Sequence, residues 1–233
     1  MTITPSASLA SIVTEHPELA RELERHDLDY CCGGSRTLDE ACRAKGLDAT
    51  EVVAELTDQA GEGGPAAWAT MGPGELVDHI EATHHAYLHA ELPRLGALAD
   101  KVLAVHGERH PELEGIRDVY AALRADLEPH LAKEEQVLFP MIRRLAGMPS
   151  AEPTTGPPSV RQPISVMVTE HDHAGMLLEH LRDRTRGFEV PADGCASYAA
   201  LYAGFAELEA DTHLHVHKEN NLLFPAALAL EET

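Results

Sequence analysis

The segments HLAKEEQVLFP at residues 130–140 and HVHKENNLLFP at residues 215–225 decide the fold of this chain. They repeat at an offset of 215 − 130 = 85 residues, with His, Lys, Glu, Leu, Phe and Pro in register. Upstream of them, His85 and His171 recur at an offset of 171 − 85 = 86 residues. Each half of the chain therefore predicts a helix with one histidine followed by a helix with His-xxx-Glu. Two such hairpins predict an up-down four-helix bundle with approximate twofold symmetry.

The hydrophobic pattern predicts where these helices lie. Apolar residues recur at spacings of three or four over about 73–99, 113–146, 163–187 and 194–229. The proline-rich segment at 147–163 predicts a loop between the two hairpins. Shorter apolar segments precede a glycine-rich stretch at 61–65. We therefore predict an all-α chain, with a small helical domain at 1–62 and the bundle at 63–233.

Composition restricts the classes of partner. The 233 residues include 39 acidic and 18 basic side chains, a net charge of −21, and 15 histidines. This charge disfavours binding of nucleic acid or of a membrane surface, and it favours metal cations. The chain has no apolar run of roughly 18–20 residues and no signal-peptide pattern at its start, which predicts a cytoplasmic protein. Its four cysteines are too few and too clustered for a disulfide framework.

Two His-Glu pairs are the strongest candidates for metal ligands. His130 and Glu134 fall at i and i+4 on the apolar stripe of the second helix, and His215 and Glu219 repeat this arrangement in the fourth. A buried carboxylate without compensation costs several kcal/mol, on the order of the effective ion penalty in proteins, whereas a cation satisfies carboxylate and imidazole together. We therefore predict that the pairs hold two metal ions inside the bundle.

The other two helices each supply one histidine. His171 lies on the inner stripe of the third helix, whereas in the first helix His84 and His85 lie on neighbouring apolar lines. We prefer His85, because 130 − 85 = 45 nearly equals 215 − 171 = 44, and keep His84 as an alternative or supporting residue. Imidazole and carboxylate in a dinuclear bundle site favour iron or manganese. We expect no metal role for the eight histidines at His79, His89, His106, His110, His173, His180, His213 and His217.

With these residues in place, the chain resembles the haemerythrin-like proteins. Four strings extend the resemblance: DLDYCCGGSRTLDEAC at 27–42, KEEQVLFPMI at 133–142, PISVMVTEHDHAG at 163–175 and KENNLLFP at 218–225. Together they are similar to the di-iron iron-sulfur cluster repair proteins of the RIC, or ScdA/YtfE, family. The vicinal Cys31 and Cys32 distinguish this family from plain haemerythrins.

The resemblance implies a metal centre and a function. It implies two non-haem irons bridged by an oxo or hydroxo group, with Glu134 and Glu219 as bridging ligands and four terminal histidines, which are His85, His130, His171 and His215. It implies repair, by iron donation, of iron-sulfur proteins damaged by nitric oxide or peroxide, and a possible homodimer. Two alternative functions stay open: a nitric oxide reductase, and a protein that binds or senses oxygen or nitric oxide. Whether the protein is an enzyme is therefore undecided.

Several positions depart from the expected patterns. In haemerythrin the third helix carries His-xxx-His, and the first of these histidines corresponds to His171. This chain has Gly175 at the position of the second, so one iron should have an open coordination position. Pro129 precedes His130 and could kink the helix. A substitution of His217 for His215 is disfavoured, because His217 lies only two residues before Glu219, on a different face of the helix. For Cys31 and Cys32, which precede two glycines, two interpretations stay open: buried or capping thiols at a turn, or exposed thiols that transfer electrons or iron or contact a recipient cluster. Cys42 and Cys195 show no such context.

Overall fold

The structure, a computed structural model, describes residues 3–61, 65–148 and 159–232 and confirms the all-α prediction. Across these ranges no strand forms, and the one β-bridge joins Ser8 and Thr37. None of the described helices is both long and apolar enough to cross a bilayer. We number the helices α1 (Leu9–Glu15), α2 (Ala20–Arg25), α3 (Leu38–Lys45), α4 (Ala49–Gln59), α5 (73–106), α6 (112–145), α7 (Arg161–Arg184) and α8 (196–231).

Three of the four long helices contain a short π-helical turn. These turns are Glu81–His85 in α5, Glu134–Leu138 in α6 and Glu219–Leu223 in α8. A π turn widens the helix locally by one residue and occurs frequently at functional sites. Each of the three turns begins or ends at a predicted metal ligand, so the local departure from α-helical geometry coincides with the candidate site.

Two predicted helix boundaries were wrong. Helix α5 continues to His106 instead of ending near residue 99, because Val102 extends its buried stripe and is 1% exposed. Helix α7 begins at Arg161, inside the segment predicted as a loop. Pro163 is its third residue, where the backbone nitrogen has no intrahelical acceptor and proline is tolerated. The rest of the predicted loop, from 149 to 158, lies outside the described residues.

The first compact unit comprises the described parts of Ile80–Met141 and Ala151–Thr212, and we call it the bundle unit. Segments of α5, α6, α7 and α8 surround one apolar core, and α6 packs against both α5 and α7. Each fully buried leucine contributes about 1.5–3 kcal/mol. The residues at the centre of this core include Leu88, Leu92, Leu95, Tyr120, Leu123, Leu178, Leu181, Leu201 and Phe205.

The second unit comprises the described parts of Met1–His79, Ile142–Ser150 and His213–Thr233, and we call it the N-terminal unit. Its core combines apolar side chains of α1 to α4 with Val216 of α8. The short helices have well-formed ends: Thr37 and Glu40 form a capping box at the start of α3, and Gly46 ends it with φ of 73°. The predicted domain boundary at 62/63 lies outside the described residues and stays a prediction.

Candidate metal centre

Four predicted ligands converge in the bundle unit. His85 comes from the π turn of α5, His130 and Glu134 from α6 and His171 from α7. Their side chains are buried, and Glu134 is 0% exposed. Glu134 Oε2 lies 3.4 Å from His85 Nε2 and 3.3 Å from His130 Nε2, and the Nε2 atoms of His130 and His171 are 3.2 Å apart. The helices thus bring metal-binding atoms together in the interior.

These distances fit donors that share a cation. Two donor atoms that each lie about 2.1 Å from one metal, at an angle of roughly 90–110°, are separated by about 3.0–3.4 Å. The donor atoms of His130, Glu134 and His171 all lie within 4.8 Å of one another. Imidazole nitrogen and carboxylate oxygen also suit iron, manganese and zinc better than calcium or magnesium. The residues present therefore fit a transition metal.

Glu134 has a special position in this group. It belongs to two groups of potential metal ligands. One group also contains His85, and the other also contains His130 and His171. A carboxylate has two oxygens and can bind one cation through each of them. The bundle unit thus contains a carboxylate flanked by histidines on two sides.

Two further carboxylates orient the histidines. The Nδ1–H of His85 donates to Glu135 Oε1 at 2.9 Å, and that of His130 donates to Glu170 Oε2 at 3.0 Å. Because a carboxylate only accepts, each ring carries its proton on Nδ1 and presents a lone pair at Nε2. Burial raises the pKa of Glu135, but hydrogen bonds from His89 and His85 outweigh it and hold that pKa below its ordinary value. Sequence reasoning missed Glu135 and Glu170, although each is adjacent in sequence to a predicted ligand.

We predict that Glu135→Gln lowers the iron affinity of the protein by roughly tenfold, because loss of a carboxylate that orients a ligand usually costs 10–100-fold. The measurement is competition with a chromogenic iron chelator. Glu128→Gln is the matched control, since Glu128 is exposed on the same helix and pairs with Arg124. Equal affinities of both variants and the unchanged protein would contradict the orienting role.

The N-terminal unit contains the other predicted pair. His215 Nε2 lies 3.1 Å from Glu219 Oε1, and their exposures are 1% and 0%. The possible substitute, His217, has both ring nitrogens engaged elsewhere, with Nδ1 at 3.4 Å from the Tyr30 carbonyl and Nε2 at 3.2 Å from Thr14 Oγ1. Burial lowers the pKa of His217 to about 4. These contacts favour His215 as the ligand in this unit.

His84 is buried in the bundle unit, and its Nδ1 lies 2.8 Å from Asp211 Oδ1. No group of potential ligands within the described ranges includes it. Helix α6 continues through Pro129, so that residue does not end the helix before His130. The geometry therefore favours His85 over His84 in the first long helix.

The vicinal cysteines lie in a loop organised by Asp29. Asp29 Oδ1 accepts hydrogen bonds from the backbone amides of Cys31 and Cys32 at 3.0 and 2.9 Å, and from the Cys31 thiol at 3.2 Å. Cys31 is buried, at 7% exposed, as the first of the two interpretations expects, whereas Cys32 is partly accessible. The hydrogen bond to Cys32, together with burial, raises the pKa of Cys31 well above its usual value.

Gly34, the second glycine after the cysteines, permits close packing against α8. Asn221 donates from Nδ2 to the Cys31 carbonyl at 3.1 Å. A Cβ at Gly34 would lie 2.5 Å from both Asn221 Oδ1 and the Tyr30 carbonyl oxygen. The absence of a side chain at Gly34 thus brings the cysteine loop against the turn that follows Glu219.

We predict that Gly34→Ala destabilises the protein by about 1–3 kcal/mol, because the added methyl group must displace backbone. Gly175→Ala is the control: its Cβ would meet no described atom within 4 Å, and alanine favours a helix over glycine by up to about 1 kcal/mol. Denaturant unfolding of both variants measures the difference. Similar unfolding free energies for the two would show that the close approach at Gly34 is unimportant.

Comparison with known proteins identifies the family. The haemerythrin HHE cation binding domain matches residues 76–227, and ScdA_N, a domain described as of unknown function, matches residues 5–60. The iron-sulfur cluster repair protein YtfE of Enterobacter sp. (strain 638) is 39% identical over 96% of this chain and 97% of its own length. Proteins of the same name from Citrobacter koseri and Escherichia coli (strain SMS-3-5 / SECEC) are each 37% identical over the same shares. The chain therefore belongs to the haemerythrin-like ScdA/YtfE family of iron-sulfur cluster repair proteins.

Proposed function

We propose that this protein binds two iron ions and donates iron to damaged iron-sulfur clusters. The observation that carries the proposal is the buried cluster of His85, His130, Glu134 and His171, within a match to a cation binding domain. The relatives at 37–39% identity are named iron-sulfur cluster repair proteins and match nearly the whole chain.

The proposed centre combines the two ligand sets. In it, Glu134 and Glu219 bridge the irons, with an oxo or hydroxo group, and the terminal ligands are His85, His130, His171 and His215. The position of Glu134 between His85 and His130, at 3.4 and 3.3 Å, supports a bridging role. The sequence repeat supports the same role for Glu219, which is the equivalent of Glu134 in register.

Two carboxylates of the chain fix the positions of the protons on the histidine ligands. Glu135 and Glu170 keep the Nδ1 protons of His85 and His130, so that the opposite nitrogens bind iron without first losing a proton. Iron in the centre supplies the cargo for repair and an affinity for small gases. Glu170 also forms an ion pair with Lys133 and is 31% exposed, so the support of His130 extends to the protein surface.

The direct test is reactivation of a damaged [4Fe-4S] dehydratase by purified components. Iron-loaded protein should restore activity in proportion to the iron it loses, whereas metal-free protein should restore none. Full reactivation by metal-free protein would refute the proposal. Cys31 and Cys32, proposed as thiols that assist the transfer of iron or electrons, are tested in the same assay with Cys32→Ser, which should slow repair without removing iron.

The two alternative functions are other outcomes of this experiment. Turnover of nitric oxide many times per centre, with an electron donor and without repair, would indicate a reductase. Reversible binding of oxygen or nitric oxide, with both irons retained and no repair, would indicate a sensor. The repair proposal implies that the partners are proteins with damaged iron-sulfur clusters. The dehydratase is the example of such a partner in this experiment.

The missing imidazole at Gly175 gives a prediction about iron release. We expect Gly175→His to slow the loss of iron to a chelator by roughly tenfold or more, since even a residue that only orients a ligand changes metal affinity by 10–100-fold. The new side chain would lie one helical turn after His171, where a Cβ meets no described atom within 4 Å. Gly175→Ala is the control, and release at the same rate from both variants would contradict an open iron position.

A further inference from the structure

Cys195 and His106, which are 89 residues apart in sequence, form a close pair in the bundle unit. His106 Nε2 lies 3.1 Å from Cys195 Sγ. The histidine is 4% exposed, and its Nδ1 has no hydrogen-bond partner among the residues that the structure describes. Tyr198 holds the ring in place with an edge contact at 5.5 Å. Within the described ranges, the contact with the Cys195 sulfur is therefore the only hydrogen bond of this buried imidazole.

Cys195 also occupies the N-cap of a long helix. Its carbonyl accepts a hydrogen bond from the amide of Ala199 at 3.0 Å, and the α-helical segment Ala196–Lys218 follows. The backbone amides of Ser197 and Tyr198, in the first turn of this helix, contribute to lowering the pKa of Cys195. Amides at a helix start stabilise a negative charge, so this position favours a thiolate over a thiol.

The thiol is accessible to small molecules. Cys195 is exposed, unlike Cys31 and Cys42, which are buried. The hydrogen bond with His106, followed by those of the helix amides, lowers the pKa of Cys195 to about 7. A buried imidazole, a helix start and an exposed sulfur together are the usual environment of a reactive cysteine.

We propose that Cys195 is a site of reversible thiol modification, at which His106 and the start of α8 activate the sulfur for exchange with small disulfides. In this reaction the Cys195 thiolate attacks one sulfur of the disulfide. A mixed disulfide forms, the original S–S bond breaks, and the leaving thiolate takes up the proton that Cys195 released. Cys195 is oxidised to the mixed disulfide and the other half of the small disulfide is reduced to a free thiol, so no other reactant is needed.

The expected rate follows from two opposing effects. At pH 7 a thiol of pKa about 7 is roughly half ionised, whereas an ordinary thiol of pKa about 8.5 is only about 3% ionised. The intrinsic nucleophilicity of a thiolate falls with its pKa, and this offsets part of the gain. The net expectation is that Cys195 reacts roughly threefold faster than a cysteine without this environment.

Other charged groups lie near this pair, and the ring of His110 is 6.3 Å from that of His106. The connection after α5 contributes Arg109 and His110, and Asp193 lies two residues before the cysteine. Asp193 Oδ1 lies 3.0 Å from His110 Nε2, and its Oδ2 lies 3.6 Å from Arg109. Arg109 and His110 are thus both paired with Asp193. His110 has a second carboxylate partner, because its Nδ1 lies 3.0 Å from Glu112 Oε1. His106 remains the titratable group in direct contact with the sulfur.

The test uses the full iron-loaded chain with glutathione disulfide and iodoacetamide as probes. Peptide mapping by mass spectrometry should show Cys195 modified before Cys42, and roughly threefold faster than the cysteine of a synthetic peptide of residues 191–199. The rate of alkylation should rise with pH around an apparent pKa near 7. A rate no greater than that of the peptide would overturn the proposal, whatever any variant does.

Variants test whether His106 activates the sulfur of Cys195. His106→Gln should bring the rate to the peptide value and shift the pH profile upward, whereas His180→Gln, at an exposed histidine of α7, should change neither. Cys195→Ser should remove the modification. If His106→Gln reacts as fast as the unchanged protein, with an unaltered circular dichroism spectrum, the role of His106 is refuted.

Discussion

Replacement of Glu134 with leucine is expected to lower the iron affinity of the protein by more than about 100-fold, since loss of a residue that only orients a ligand already costs 10–100-fold. Glu134 is fully buried and lies within 3.4 Å of the Nε2 atoms of both His85 and His130. Leucine has a similar volume but offers no oxygen, so the change removes a proposed ligand of both irons. Metal analysis of the purified variant measures the loss, and reactivation of a damaged dehydratase should disappear with it.

The control for this prediction is Glu128→Leu. Glu128 lies on α6 as well, but it is exposed and its partner is Arg124. The control should retain about two irons per chain and full repair. Iron retention in Glu134→Leu at the level of Glu128→Leu would show that Glu134 is not a ligand.

Removal of iron is expected to lower the thermal unfolding midpoint by roughly 10–20 °C. A ligand at 100 times its dissociation constant stabilises the folded state by about 2.7 kcal/mol, and two ions contribute about twice that. For a chain of this size, 1 kcal/mol corresponds to about 2–4 °C. The helices that carry His85, His130 and His171 lose the two cations that are proposed to link them when iron is removed. Calorimetry of iron-loaded and chelator-treated protein measures the shift.

Glu134→Leu separates this effect from any direct action of the chelator. Because the variant should hold little iron, chelator treatment should leave its unfolding midpoint unchanged. An equal fall of the midpoint in the variant and in the unchanged protein would mean that the chelator destabilises the chain by another route.

The all-α fold and the inward direction of the candidate ligands could be predicted because both follow from the local sequence pattern of the repeat. His130 and Glu134 lie one helical turn apart on an apolar stripe, so their common inward direction follows from helix geometry alone. The choice of His85 over His84 depended on a spacing argument. In the structure His85 is oriented by Glu135 and lies near Glu134, whereas His84 contacts Asp211.

Features that depend on distant contacts could not be predicted in this way. The π turns at Glu81–His85, Glu134–Leu138 and Glu219–Leu223 have no periodic signature. The sequence left burial and exposure of Cys31 both open, because the close packing of Gly34 against Asn221 involves residues that are distant along the chain. Cys195 showed no chemical context in the sequence, because its partner His106 is distant along the chain.

The most direct test of the account follows isotopically labelled iron from the protein to a damaged cluster. The protein is loaded with the label, incubated with an inactivated [4Fe-4S] dehydratase and separated from it, and the label in the dehydratase is measured together with its recovered activity. The account predicts that label and activity appear together, and that neither appears with Glu134→Leu. Recovery of activity without transfer of the label would contradict iron donation by this protein.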